Sequence, residues 1–136
     1  MIPATCNVPA ARAWNPVNVL LRCLIVDDSA SFLEAASELL EQQGVTVVGV
    51  ASDITGALGQ ARELRPDVVL VDIMLGDESG FDLARRLAEA DSGGPVVILI
   101  STHAEADFAD LIEEAPAAGF VPKSQLSVST IRRLLG

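Results

Sequence analysis

Five apolar-rich runs, each set apart from the next by a stretch of helical periodicity, leave this chain few ways to fold. The runs fall at about residues 19–26, 45–50, 67–71, 95–100 and 118–121. A run such as Val68-Val69-Leu70-Val71 has no apolar–polar alternation, which is how a strand reads when a parallel sheet buries both its faces. Between the runs the period changes. Phe32, Ala35, Ala36, Leu39 and Leu40 make one stripe, with Glu34, Glu38 and Glu41 off it and Gly44 placed as a stop. Asp53 is placed to cap a second helix with Ile54, Ala57, Leu58, Ala61 and Leu64 inward, and Pro66 blocks its continuation. Helices are also predicted from Ser79 to about Ala90, from about Ala104 to Ala115 with Pro116 as its break, and from about Ser127 to Leu135, with loops at 73–78 and 91–94. The pattern is α/β: five βα units forming a doubly wound parallel sheet covered by helices on both faces.

Sheets of this kind bind ligands beyond the carboxyl ends of their strands, where the strand order reverses. The common order for five strands is 2-1-3-4-5, that of the flavodoxin-like three-layer sandwich. The strand endings agree with it independently. The first run ends at Asp27-Asp28, the third at Asp72, the fourth at Ser101-Thr102 and the fifth at Lys123. The second run ends in Val50-Ala51-Ser52 without a charge, and in this order it lies at the edge, away from the crevice.

Size and charge narrow the function classes. A chain of 136 residues is one domain by length, and with 50% hydrophobic residues it can bury a proper core. A net charge of −10 argues against a nucleic-acid surface, because phosphates repel it, and suits cations or partners with basic patches. Residues 1–18 carry Pro3, Pro9, Pro16 and the only Trp without periodicity, and read as a poorly ordered extension ahead of a domain at 19–136. Cys23 lies inside the first apolar run and reads as core; a disulfide to Cys6 is not expected. No run reaches the ~18 apolar residues that span a membrane. The N-terminus also lacks a basic start followed by an apolar stretch, so a cytoplasmic protein is expected.

The endings define a chemistry. Carboxylates held close raise one another's pKa, a cost that a divalent cation removes. Mg²⁺ takes oxygen ligands and commonly uses one or two carboxylates with a phosphate oxygen. The alternative for Asp27 or Asp28 is a helix N-cap. A carboxylate at Asp72 can act as a nucleophile on phosphorus and form an acyl phosphate. Lys123 can neutralise phosphoryl oxygens as a point charge, or be a solvated loop lysine. Ser101 can donate to a phosphoryl oxygen, or cap the following helix. The strength lies in the conjunction, with each residue following its own strand.

On these residues the chain resembles the receiver domain of bacterial two-component response regulators. The segments that carry the resemblance are Leu24-Ile25-Val26-Asp27-Asp28, Val69-Leu70-Val71-Asp72-Ile73-Met74, Ile98-Leu99-Ile100-Ser101-Thr102 and Gly119-Phe120-Val121-Pro122-Lys123, and the match runs over residues 21–135. The resemblance implies that Asp72 accepts a phosphoryl group from a histidine-kinase phosphohistidine. It implies Mg²⁺ bound by Asp27 and Asp28, the latter more directly, with Asp72 and the backbone carbonyl of Met74. It implies Lys123 paired with the phosphoryl group, Ser101 as the switch hydroxyl and Phe120 as the aromatic whose rotamer goes with it. The output surface would be helix 4, strand 5 and helix 5. Partners would be a sensor histidine kinase or phosphotransfer protein and a downstream protein, with a phosphorylation-linked dimer also allowed. The chain reads as a stand-alone receiver or a piece of a longer regulator.

Three positions depart from the family pattern. Gly76 stands where proline is usual, and Ser124 stands where a proline in a cis bond often comes after the lysine, so a different path is expected after Lys123. Thr102 replaces a small residue, and its bulk is expected to restrict access to Asp72; it also competes with Ser101 for the switch role.

Other readings are weaker. An aspartyl phosphohydrolase often places a general acid two residues after the nucleophile, where this chain has Met74, which transfers no proton. A flavodoxin-like cofactor carrier would set its phosphate beside Asp27-Asp28, and neither a P-loop nor GxGxxG is present. A receiver-like module that is never phosphorylated would not need the full acidic set with Lys123. His103 reads as a loop residue, because Mg²⁺ prefers oxygen. Glu105, Asp107, Asp110, Glu113 and Glu114 read as a solvated face or an acidic docking surface, and Arg132-Arg133 is too short to suggest DNA binding.

Overall fold

The computed structural model describes residues 21–90, 94–102 and 108–135. The expected extension at 1–18, the first residues of the first run, His103, Glu105 and Asp107 lie outside them. Five parallel strands, β1 (Arg22–Val26), β2 (Thr46–Ala51), β3 (Val68–Asp72), β6 (Val96–Ser101) and β7 (Gly119–Pro122), form one sheet in the order β2-β1-β3-β6-β7. This is the expected 2-1-3-4-5 order, and β2 is the edge strand. A two-stranded antiparallel hairpin, β4 (Met74–Leu75) and β5 (Glu78–Ser79), comes directly after β3.

The central strands owe their position to burial. Leu24, Ile25 and Val26 in β1 and Val68 to Val71 in β3 have no exposed surface, and each such side chain contributes about 1.5–3 kcal/mol when fully buried. Alternate residues point to opposite faces. Leu24, Val26, Val69 and Val71 join one core cluster, and Cys23, Ile25, Val68 and Leu70 join the other. Burial pushes the Cys23 thiol up to about 12, as suits a core residue. Two cores sharing one sheet fix the strands from both sides, so the residues at the strand ends are held by strands packed on both faces.

The helices are α1 (Ala30–Gln42), α2 (Ile54–Leu64), α3 (Gly80–Ala90), α4 (Ala109–Glu114) and α5 (Val128–Leu135). Neither Asp27 nor Asp28 caps α1. Ser29 does so, accepting from the Phe32 N–H at 3.3 Å. Asp53 caps α2 as expected, accepting from the Gly56 N–H at 2.7 Å, and Arg65 ends it in the left-handed conformation just before Pro66. Gly44 stands just beyond α1 with φ +93°, a conformation suited to glycine.

Two expectations need correction. Ala35 and Leu39 do not belong to the inward stripe of α1: Leu39 is 38% exposed and Ala35 is exposed, while Ala36 and Leu40 are buried and Leu33 packs with Phe32 against the core. The face is centred on Ala36 and Leu40, and the helix turns Leu39 about 100° away from Leu40. Residues 73–78 are not a plain loop but hold most of the hairpin. Gly76 opens its two-residue turn with φ +62°, where glycine is favoured. Proline, locked near −65°, cannot adopt that angle, which explains in conformational terms why this chain carries glycine there.

Candidate phosphoryl-transfer site

At the carboxyl edge of the sheet a cleft of about 290 Å³ is lined by Asp27, Asp28, Ser29, Asp72, Met74, Gly76, Ser101, Thr102 and Lys123. Every residue expected at the site lines it except Phe120. Phe120 sits half-buried in β7 against the core cluster that holds Leu24 and Val71.

Asp27 is the residue immediately after β1 and has no exposed surface. Its backbone N–H donates to the Ala51 carbonyl of β2 at 3.0 Å, which extends the parallel ladder by one residue. Its Oδ1 accepts from the Ser29 N–H at 2.8 Å. Its Oδ2 is fully buried and accepts no hydrogen bond, although the Lys123 ammonium stands 2.5 Å away. The two observations are compatible: the contact is a charge pair without hydrogen-bond alignment. Asp28 is exposed at the mouth of the cleft.

Asp72 is the last residue of β3 and 6% exposed. Its Oδ1 accepts from the Met74 N–H at 3.3 Å, and its Oδ2 lies 3.4 Å from Lys123 Nζ. Burial, then the Asp27 carboxylate, push the Asp72 carboxyl above its ordinary value, and Lys123 and the Met74 N–H pull the other way. One ammonium thus serves two buried acids and leaves a net negative charge.

That imbalance bears on a cation. Asp27, Asp28 and Asp72 each offer an oxygen, and the three oxygens lie within 4.8 Å of one another. Together with the buried Asp27 Oδ2 that accepts no hydrogen bond, this all-oxygen donor set fits Mg²⁺.

Ser101 ends β6 and is 1% exposed, whereas Thr102, the next residue, is exposed on the cleft wall. Met74 is 50% exposed beside them. Lys123 begins a 3₁₀ turn (Lys123–Gln125) directly after β7, and there are no cis peptide bonds among the described residues.

Three contributors were not read from the sequence. Phe32, assigned only to the core stripe, places its ring beneath the Lys123 ammonium, 4.3 Å from centroid to Nζ. Glu78, on the hairpin, accepts from the Ile54 N–H at 2.9 Å and so ties the segment after Asp72 to the start of α2. Gly80 donates to the Ile73 carbonyl at 2.7 Å, and any Cβ there would overlap the Asp72 carbonyl. A glycine at the start of the helix predicted from Ser79 was the available sign for Gly80. The other two depend on tertiary contacts.

Comparison with known proteins agrees with this geometry. A family model described as the response regulator receiver domain matches residues 23–134. The DNA-binding response regulator MtrA of Mycobacterium tuberculosis is 44% identical over 91 residues, which is 67% of this chain and 38% of that protein. A protein-glutamate methylesterase/protein-glutamine glutaminase of Myxococcus xanthus is 35% identical over 104 residues, 76% of this chain and 30% of its relative. The chain therefore spans well under half the length of these curated relatives. Among solved structures, a two-component response regulator of the LuxR family from Aurantimonas aligns with a TM-score of 0.77 at 29% identity over 86% of each chain. The signal receiver domain of a putative NarL from Mycobacterium tuberculosis aligns at 0.72 with 28% identity, over 86% of this chain and 98% of that one.

Proposed function

This chain belongs to the response regulator receiver domain family, and on that premise we propose that it is a phosphorylation-controlled switch whose acceptor is Asp72. The observation that carries the reading is one buried carboxylate at the end of the middle strand, faced by a second buried acid and by the Lys123 ammonium. Asp72 attacks phosphorus, the bond from phosphorus to the donor's imidazole nitrogen breaks, and the imidazole leaves with the electron pair. The donor is a phosphohistidine on a sensor histidine kinase or phosphotransfer protein.

Catalysis of such a transfer is mostly positioning and neutralisation of charge. Lys123 holds a positive charge where the phosphoryl oxygens arrive. Asp27, Asp28 and Asp72, with the Met74 carbonyl, would hold Mg²⁺, which supplies further positive charge to those oxygens when bound. Ser101 donates a hydrogen bond to the new group from the end of β6. Phe120 and the surface made by α4, β7 and α5 report the change to a downstream protein, a dimer of this chain being one form of output. Met74, two residues after Asp72, can neither protonate a leaving group nor take a proton from water, so the domain catalyses only its own phosphorylation and dephosphorylation. No helix among the described residues is long and apolar enough to cross a membrane, and the proposed place of action is the cytoplasm.

Incubation with acetyl phosphate and Mg²⁺, read by intact mass, tests this. The expected result is a gain of one phosphoryl group that is absent in Asp72→Asn and in EDTA. No adduct with acetyl phosphate or with a beryllofluoride mimic would point instead to an unphosphorylated interaction module. Sustained release of phosphate from many organic phosphates would point to a phosphohydrolase.

A further inference from the structure

Lys123 has three neighbours that matter: Asp27 at 2.5 Å, Asp72 at 3.4 Å and the ring of Phe32 at 4.3 Å to its centroid. An ammonium has three donors in a tripod on a flexible four-carbon stem. One donor goes to Asp72, Asp27 is a charge partner without a hydrogen bond, and the Phe32 ring lies within cation–π distance. The lysine side chain is only 13% exposed, the partly dry setting in which a cation over a ring is held most strongly.

Phe32 is itself well anchored. Its N–H is capped by Ser29, and its side chain packs against the core cluster that contains Leu40 and Leu126. Its position is therefore set by α1 and the core, not by anything bound in the cleft. The two carboxylates differ in this respect. In the phosphoacceptor reading, Asp27 turns toward a cation and Asp72 becomes an acyl phosphate. Of the three neighbours, Phe32 alone keeps the same charge and the same bonds throughout.

We propose that Phe32 is a positioning residue for Lys123: its ring keeps the ammonium at the cleft while both acidic partners change, so that Lys123 meets the incoming phosphoryl oxygens without a search. This rests on the phosphoacceptor reading for its kinetic consequence and on geometry alone for the contact.

The test uses the full chain with Phe32→Leu, which keeps an apolar side chain of similar bulk, and Phe32→Tyr, which keeps the ring. The Lys123 ε-methylene resonance should be shifted upfield by the ring in the parent and in Phe32→Tyr, and should return toward the ordinary lysine position in Phe32→Leu. Phosphorylation by acetyl phosphate should slow about three- to tenfold in Phe32→Leu and recover in Phe32→Tyr. A loss of rate shared by both variants, or an unshifted Lys123 resonance in the parent, overturns the proposal. If the parent takes no phosphoryl group at all, the phosphoacceptor reading fails, and the resonance still decides whether Phe32 holds Lys123.

Discussion

Lys123 Nζ lies 2.5 Å from Asp27 Oδ2, an atom with no exposed surface and no hydrogen bond. A cation that uses this oxygen must first displace the ammonium. Replacing Lys123 by Met should therefore act in two directions. Without metal, two buried acids lose their counter-charge, and stability should fall by roughly 3 kcal/mol, the usual cost of breaking a buried pair. With Mg²⁺, affinity should rise, because nothing has to be displaced. Thermal melts and titration calorimetry check both, and unchanged Mg²⁺ affinity would count against the competition.

Asp72 carries a pH signature in metal-free protein. Burial and then Asp27 raise its pKa in the folded state above the unfolded value. The folded state then holds a proton that the unfolded state has released. Stability is greatest with the group protonated in both states, and it falls as pH rises through the folded-state pKa. Asp72→Asn cannot ionise. Its melting temperature should exceed the parent's at pH 7 in EDTA, with the gap closing toward about pH 3.5, below the ordinary Asp value. A constant gap across that range would show that the charge is not the cause.

Two glycines should respond in opposite directions to alanine. At Gly80 a Cβ would strike the Asp72 carbonyl, which is backbone and cannot swing away. Gly80→Ala should cost about 1–3 kcal/mol as an overpacking substitution, and it should slow phosphorylation by shifting Asp72. Gly59 is exposed within α2 with nothing within 4 Å of its would-be Cβ. Gly59→Ala should stabilise by about 0.5–1 kcal/mol through helix propensity. Denaturant melts of both variants measure the contrast.

Thr102 stands exposed on the cleft wall next to buried Ser101. Thr102→Ala removes bulk from the route to Asp72 and leaves the core untouched. Phosphorylation by small donors such as acetyl phosphate should speed up severalfold, with no change in melting temperature. Equal rates for the two proteins would mean that the passage is not narrowed there.

Much of this molecule was readable because its strands are buried on both faces. Val68 to Asp72 needed no knowledge of neighbours to be recognised, and its limits fall within about two residues of those expected, the usual boundary error of such reading. The endings at Asp27, Asp72, Ser101 and Lys123 came from the same periodicity. Other features lay beyond it. Leu39 looks identical to Leu40 in a list of apolar residues, and only the core's angular position on α1 separates them. The hairpin at Met74–Ser79 is too short for a periodic signal and depends on the left-handed angle at Gly76. The ring of Phe32 beneath Lys123 joins residues distant in the chain, and only the sheet order brings them together.

The contrast between Asp27, buried at the floor of the cleft, and Met74, half exposed on a short hairpin, has an evolutionary consequence. Substitutions at Met74 or Thr102, both exposed on the cleft, reshape the doorway without disturbing the packing that carries the charges. If Asp72 is the phosphoacceptor, as proposed, water reaches the modified state through that doorway. On that reading, duration is set by residues that can change while the chemistry beneath stays fixed, as a clock's regulator can be adjusted without remaking its movement.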